Sequence, residues 1–167
     1  MIALTHDTRA VIRIERSSAT AAIEFKAFGF PLIGQATTEL PALPGAVERD
    51  VSGRATLLHF APGRFLAPVP SAETARHLAT LADAGVGAAF DVEGKWQEFA
   101  LSGSSAERVL AATIDSRAVL AQRDCAAVQL FDCPCVLARR KDGFDVWVEA
   151  SYALDLGESF ARVGKEL

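Results

Sequence analysis

The chain has 167 residues, of which 50% are hydrophobic, and its formal net charge at pH 7 is -4. This length is enough for one sizeable hydrophobic core or two small fused ones, so folding needs no disulfide or metal. The negative net charge argues against a basic surface that would bind nucleic acid. The longest apolar runs are far shorter than a membrane-spanning helix. Because the N-terminal sequence MIALTHDTRA has no apolar signal region, we expect a cytoplasmic protein that binds neither nucleic acid nor membrane.

The first part of the chain predicts a strand, a helix and a long loop. The strand RAVIRIE runs into IERSSATAAI, from Ile14, which predicts a strand end followed by a helix with a serine cap. Residues 29 to 53 are rich in proline and glycine and predict the one long loop of the chain. Loops of that length in compact domains tend to be functional or bound by a partner.

The middle of the chain predicts a β-hairpin followed directly by a helix. Its parts are strand Thr56 to Phe60, turn Pro62-Gly63, strand Phe65 to Val69, N-cap Ser71 and a helix with Ala75, Leu78 and Ala82. Strands over Val86 to Val92 and Trp96 to Leu101 follow, on either side of the turn Gly94-Lys95. The next stretch, LSGSSAERVL, resembles IERSSATAAI and has Ser104 and Glu107 at the spacing of a capping box.

The stretch KDGFDVWVEASYA, residues 141 to 153, predicts a second hairpin and helix. Apolar side chains alternate with Asp145, Trp147 and Glu149, which is the pattern of a half-buried strand. The other parts are the first hairpin arm Val136 to Arg140, the turn Lys141-Asp142-Gly143, the N-cap Ser151 and a helical stripe of Tyr152, Leu156, Phe160 and Val163. The strand should therefore have one face on a core and one face in solvent.

The two hairpin-helix patterns suggest an internal duplication. Eight positions separate Gly63 from Ser71, and eight separate Gly143 from Ser151. Together with the two serine-containing stretches, this order predicts two pseudo-repeats, about 9–92 and 96–163, each reading strand, helix, two strands, helix. We predict an α+β fold built from duplicated ferredoxin-like βαββα units.

Three cysteines leave two alternatives open. Cys133 and Cys135 flank Pro134, whereas Cys125 lies eight residues earlier. Buried cysteines around a proline turn would behave as small hydrophobic residues. A thiol or metal module would instead need further ligands, and the three histidines have no ligand spacing relative to these thiols.

Three segments carry a resemblance to a known family. They are APGRFLAPVP at 61–70, VGAAFDV with FALSGSSAERVLA at 86–92 and 99–111, and CAAVQLFDCPCVLARRKDGFDVWVEASYALDL at 125–156. In order and spacing they resemble the gamma subunits of heterotetrameric sarcosine oxidase. Those subunits are themselves similar to the folate-binding part of the glycine-cleavage T-protein, an aminomethyltransferase.

The resemblance implies a single gamma-subunit-like domain with the folate-binding aminomethyltransferase-like fold. It also implies larger alpha- and beta-type partner subunits, which bear the flavin and NAD and perform sarcosine catabolism with transfer of the methylene to tetrahydrofolate. The chain alone would bind no cofactor, with tetrahydrofolate as the one candidate ligand. Related small subunits in N-methylglutamate dehydrogenase complexes leave the amine substrate open.

The resemblance also gives candidate ligand contacts. Asp145 matches the glutamate that helps to hold the pterin in T-proteins, and Asp91 matches the aspartate of their "FDVS" stretch. The simpler alternative puts Asp145 and Glu149 on the solvent face of a strand, with Asp91 capping a turn.

Three further residues are candidates for an interface. Trp147, between two acidic residues on the predicted outward face, would be covered by the other half of the chain or by a partner. Arg139 and Arg140 would pair with a folate tail or with acidic groups of a partner; the alternative is a solvated hairpin tip.

No complete catalytic set is present in the sequence. It contains neither a G-x-S-x-G nucleophile elbow nor a phosphate-binding G-x-x-x-x-G-K-[ST] loop. The first hypothesis is therefore a noncatalytic subunit of a sarcosine oxidase-like complex. The second is a stand-alone protein that binds tetrahydrofolate or transfers one-carbon groups.

Overall fold

In a computed structural model of the chain, residues 2–4, 12–18, 22–28 and 45–166 are described. The strands are β1 Ile2–Leu4, β2 Ile12–Ser18, β3 Ile23–Ala27, β4 Val47–Arg49, β5 Ala55–Ala61, β6 Arg64–Ala67, β7 Gly87–Asp91, β8 Trp96–Ser102, β9 Cys125–Leu130, β10 Cys133–Arg140 and β11 Gly143–Glu149. The helices are α1 Ala72–Asp83, α2 Ala106–Ala111, α3 Ser116–Val119 and α4 Ala153–Glu166, and a 3-10 turn at Ala150–Tyr152 precedes α4.

The strands form two antiparallel sheets, in agreement with the predicted α+β class. Sheet 1 has six strands in the order β1-β2-β8-β11-β10-β9, and sheet 2 has five in the order β4-β5-β6-β3-β7. The chain divides into two compact units: unit 1 consists of Met1–Ser18, Trp96–Ala121 and Ala127–Leu167, and unit 2 of Ala19–Lys95 and Gln122–Ala126. Duplicated ferredoxin-like units stay a prediction.

Unit 2 is built around sheet 2 and helix α1. Leu78 and Leu81 of the helix pack with Phe25, Leu57 and Phe65 of the strands in one buried cluster. Ser71 has an extended backbone, and its side chain accepts a hydrogen bond from the Thr74 amide at 3.0 Å. The predicted cap and the predicted hairpin before it, β5 with β6, are confirmed.

Unit 1 contains the hairpin β10–β11, which lies inside sheet 1 between β8 and the edge strand β9. Strand β11 pairs with β10 on one side and with β8 on the other. Helix α4 buries Leu156 and Phe160, and the Phe160 ring meets Phe99 of β8 edge to face at 5.6 Å. The predicted hairpin and helix are confirmed, although Tyr152, expected in the buried stripe, is 39% exposed.

The helix predicted after Ile14 is wrong. Strand β2 continues through both serines to Ser18, and the next described element is strand β3. Phe25 is buried in the middle of β3 whereas Lys26 beside it is exposed, which is strand periodicity. Because β2 pairs with β8, residues 12–18 belong to unit 1. The rest of the predicted first repeat, from residue 19 onwards, belongs to unit 2.

Two predicted helix caps are also wrong. Helix α2 begins after Ser105, which makes no side-chain cap, and Glu107 binds Arg117 instead of closing a capping box with Ser104. Ser151 lies inside the 3-10 turn, because the chain changes from extended to helical backbone already after Glu149.

The predicted loop 29–53 contains a strand. Strand β4 occupies residues 47–49 and pairs with β5, and the tight turn between them is held by Asp50. Residues 29–44 lie outside the described residues. No helix in the described part of the chain is long and apolar enough to cross a membrane.

Candidate functional site

Strand β11 carries two of the predicted site residues, and both are buried. Asp145 is 4% exposed and Trp147 is 1% exposed, as are the apolar residues that alternate with them. The predicted half-buried strand is therefore wrong: β11 is an inner strand of a six-stranded sheet, and the side chains on both of its faces are buried. The expected outward positions of Asp145 and Trp147 are corrected accordingly.

Asp145 forms an ion pair across the hairpin. Its Oδ1 accepts a hydrogen bond from Nη1 of Arg140 at 3.1 Å, and Nε of the same arginine donates to Asp142 at 2.9 Å. Burial by itself lowers the pKa of Arg140, but the two carboxylates outweigh it and raise the pKa. The arginine, at the end of β10, therefore binds one carboxylate in the turn and one on β11, and these contacts stabilise the hairpin.

Trp147 leaves an unsatisfied polar atom in the interior. Its indole Nε1–H is buried and has no hydrogen-bond acceptor among the described residues. A buried donor without an acceptor costs about 1–3 kcal/mol, and in native proteins such groups often mark a site for water or a ligand. The ring lies directly across from Val136 on β10 and Glu98 on β8.

Asp91 is placed in unit 2, at the end of the edge strand β7. It is exposed, and its Oδ1 accepts a hydrogen bond from the Glu93 amide at 3.1 Å. The prediction that Asp91 caps a turn is confirmed. Its carboxylate shapes the turn between β7 and β8.

The two arginines proposed for an interface form hydrogen bonds and ion pairs within the chain. Nη2 of Arg139 donates to the Leu120 carbonyl at 3.2 Å, which satisfies an acceptor at the C-terminal end of α3. Arg140 binds Asp142 and Asp145, as described above. Their role towards a partner or an anion stays a prediction.

The cysteines are buried thiols. Cys133 and Cys135 both lie on β10, so Pro134 is part of a strand and the turn is at Phe131 and Asp132 instead. Burial raises the pKa of Cys135 to about 12. Such a thiol is unreactive at neutral pH, and the described residues contain no cluster of three metal-binding side chains.

A cleft that the sequence did not indicate lies in unit 1 between α2 and α3. Its volume is about 560 Å³, and Arg117 spans it with a two-pronged ion pair to Glu107, at 2.6 and 2.9 Å. Both residues are well exposed. The short helix α3 is capped by its own Asp115, and the cleft lining combines these charged residues with the apolar Ala111, Ala112 and Ile114.

No protein-family model matches the sequence, and no curated protein matches it. Among solved structures, the chain is similar to one from "Heterotetrameric Sarcosine Oxidase from Corynebacterium sp. U-96 in complex with pyrrole 2-carboxylate". The TM-score is 0.72 at 19% sequence identity, and the match covers 93% of this chain and 85% of that chain. Almost the whole chain therefore has the fold of a chain in that oxidase.

Proposed function

We propose that this chain is a small, noncatalytic subunit of a heteromeric, sarcosine oxidase-like flavoenzyme. The complex would oxidise a secondary amine and pass the released methylene to tetrahydrofolate. Flavin and NAD would be bound by larger alpha- and beta-type subunits, and this chain would contribute a docking scaffold.

The observation that carries the proposal is the similarity in fold to a chain of a heterotetrameric sarcosine oxidase over 93% of this chain. The gamma-subunit resemblance of the segments at 86–111 and 125–156 points in the same direction. A fold hosts many functions, so the proposal also depends on the residues of the chain.

The candidate carboxylates support a structural role. Asp145 is engaged by Arg140 and is almost wholly buried, and Asp91 is engaged in a turn. Asp145 is thus closed to a substrate, and Asp91 has a hydrogen-bonding role in its turn. The chemistry of the complex would therefore reside in its partners.

The test is co-purification from the native host. A tagged copy of the full chain should be recovered with a flavin-bearing chain in a fixed ratio, and the recovered complex should oxidise an N-methylated amino acid. Recovery of the tagged chain alone, from cells that express the partner chains, would contradict the proposal.

One observation favours a second candidate, a stand-alone tetrahydrofolate-binding or one-carbon-transfer protein. The unsatisfied Nε1–H of Trp147 lies on the same face of β11 as Asp145. A pterin ring offers both acceptors for such a donor and N–H groups for a carboxylate, so these two residues would hold it. The bound tetrahydrofolate would be the carrier of the one-carbon group.

Calorimetry of the isolated chain with tetrahydrofolate separates the two candidates. Saturable binding that is lost in Asp145→Ala but retained in Asp142→Ala would favour the second candidate. Asp142 is the matched control, because it is an exposed carboxylate that also binds Arg140. The subunit proposal predicts no binding heat for the wild-type chain.

A further inference from the structure

Two cations face each other across neighbouring strands of unit 2. Lys26 on β3 and Arg64 on β6 are directly paired in the register of sheet 2, and both are exposed. Like charges at directly opposed positions destabilise a sheet. In the described part of the chain, neither side chain has an ion-pair partner; the Arg64 guanidinium instead lies over the Phe60 ring at 5.2 Å.

Exposed aromatic rings flank these cations on the same face of the sheet. Phe90 on β7 lies opposite Glu24, two positions before Lys26 along β3, and it is 50% exposed. Phe28 follows two positions after Lys26, is held by its backbone to Val86, and is 56% exposed. Half-exposed phenylalanines on β7 and directly after the end of β3 are an unfavourable surface for a chain without a partner.

The acidic residue nearest to these cations along β3 is already neutralised. Glu24 on β3 binds Nζ of Lys95 at 2.7 Å, and its side chain is only 17% exposed. The charge left over on this face is therefore positive, although the chain as a whole has a net charge of -4. A local positive excess between aromatic rings calls for an occupant with the opposite charge and an apolar rim.

We infer that the face formed by Lys26, Phe28, Arg64, Ala88 and Phe90, here called the Phe90 patch, docks a segment of a partner chain. The segment carries a carboxylate side chain between apolar residues: the carboxylate lies between the two cations and the apolar residues cover the two rings. This inference rests on the proposed function, because the partner is one of the larger subunits of the flavoenzyme.

A partner carboxylate also accounts for the unfavourable cation pair. Without an anion, the pair costs stability; with a carboxylate placed between the cations, both form charge-assisted hydrogen bonds. The patch would thus be better satisfied in the complex than in the free chain. Such an arrangement favours binding of an acidic segment and disfavours a second copy of this face, which would bring four cations together.

The test is charge reversal in the complex. Lys26→Glu in the tagged full chain should weaken co-purification of the flavin-bearing chain at least about tenfold, because a carboxylate then faces the carboxylate of the partner. The same change removes the repulsion with Arg64, so the unfolding temperature of the free chain should stay constant or rise. A loss of binding without a loss of stability cannot be ascribed to misfolding.

Two further variants make the test decisive. Phe90→Ser removes apolar contact without altering charge and should also weaken co-purification. Arg76→Glu is the matched control: it makes the same change of charge on the exposed side of α1 in the same unit, and it should leave the complex intact. The inference is overturned if Lys26→Glu and Phe90→Ser both retain the flavin-bearing chain, or if Arg76→Glu loses it equally.

The failure of this inference differs from the failure of the proposed function. If no flavin-bearing chain co-purifies with the wild-type chain, the proposed function is wrong and the proposed docking surface is wrong with it. If the flavin-bearing chain co-purifies equally with the wild-type chain and with the patch variants, only the proposed docking surface is wrong. A wild-type dimer in sedimentation that dissociates in Phe90→Ser would assign the patch to a second copy and would also overturn the inference.

Discussion

The hairpin and helix of unit 2 and those of unit 1 follow the same sequence pattern, yet their helices begin differently. In unit 2 the backbone is extended up to Ser71, which then caps α1. In unit 1 the extended backbone ends at Glu149, and a 3-10 turn that contains Ser151 leads into α4. A serine caps a helix only where the backbone is still extended, so equal spacing from a turn glycine does not ensure an equal role.

The largest expected difference concerns the anchors of the two helices. Phe160 of α4 is completely buried and contacts the rings of Phe99 and Phe131, so Phe160→Ala should lower the free energy of unfolding by about 3–5 kcal/mol. Leu78→Ala in α1, also completely buried, should cost about 2–4 kcal/mol. Urea unfolding measures both.

The control for this comparison is Leu154→Ala, at an exposed position of α4. It should change the free energy of unfolding by less than about 0.5 kcal/mol. An effect of Phe160→Ala as small as that of the control would mean that α4 does not anchor unit 1.

The turn glycines of the two hairpins should also differ. A Cβ at Gly143 would collide with the backbone carbonyl of Leu101, so Gly143→Ala should cost about 3 kcal/mol. A Cβ at Gly63 would meet only ordinary contacts, and Gly63→Ala should cost about 1 kcal/mol for its left-handed backbone, at φ 64°. Equal losses in thermal unfolding would show that the close approach of β11 to β8 is relaxed in solution.

The two serines give a smaller and sharper contrast. Ser71→Ala removes a hydrogen bond to the Thr74 amide and should cost about 1 kcal/mol. Ser151→Ala alters an exposed side chain inside the 3-10 turn and should cost less than about 0.5 kcal/mol. The reverse order in denaturant titrations would restore Ser151 as the cap.

The smallest effect at neutral pH concerns buried thiols, in which the two units agree. Burial raises the pKa of Cys125 in unit 2 and of Cys135 in unit 1 from 9.0 to about 12. Unfolded thiols lose their protons first as pH rises, so the free energy of unfolding should be unaffected at pH 7 and should fall between about pH 9 and 12.

Urea titrations at pH 7 and pH 10 measure this loss. Replacement of either cysteine by alanine should flatten the alkaline decline, and the slopes of the two variants should be similar. A decline as steep as that of the wild type in both variants would assign the alkaline loss to other groups.

Local sequence patterns predicted the elements whose contacts are local. The hairpin β10–β11, the cap at Ser71 and the turn at Asp91 all follow from residues within about ten positions of one another. Strand β3 was missed, because alanine-rich sequence after two serines fits a capped helix as well as a strand. Its partners β6 and β7 lie far away in the sequence and decide in favour of the strand.

The candidate site was predictable only in part, for a similar reason. The alternation around Trp147 fits a strand with one face in solvent, and nothing local shows that the side chains on both faces of β11 are buried. The Arg140 partner of Asp145 lies five positions away and was accessible from the hairpin register. The opposition of Lys26 and Arg64 requires the pairing of β3 with β6, which no local pattern contains.

The pairing of β2 with β8 has a consequence for folding of the chain during its synthesis on the ribosome. Ser18 is opposite Gln97 and Arg13 is opposite Ser102, so roughly eighty further residues must be synthesised before β2 can pair with β8 on the side away from β1. At about 5–20 residues per second, the nascent strand waits about 4–16 seconds with its apolar residues uncovered. We therefore expect slower translation of the first hundred codons to increase aggregation rather than improve yield, because it lengthens this exposure.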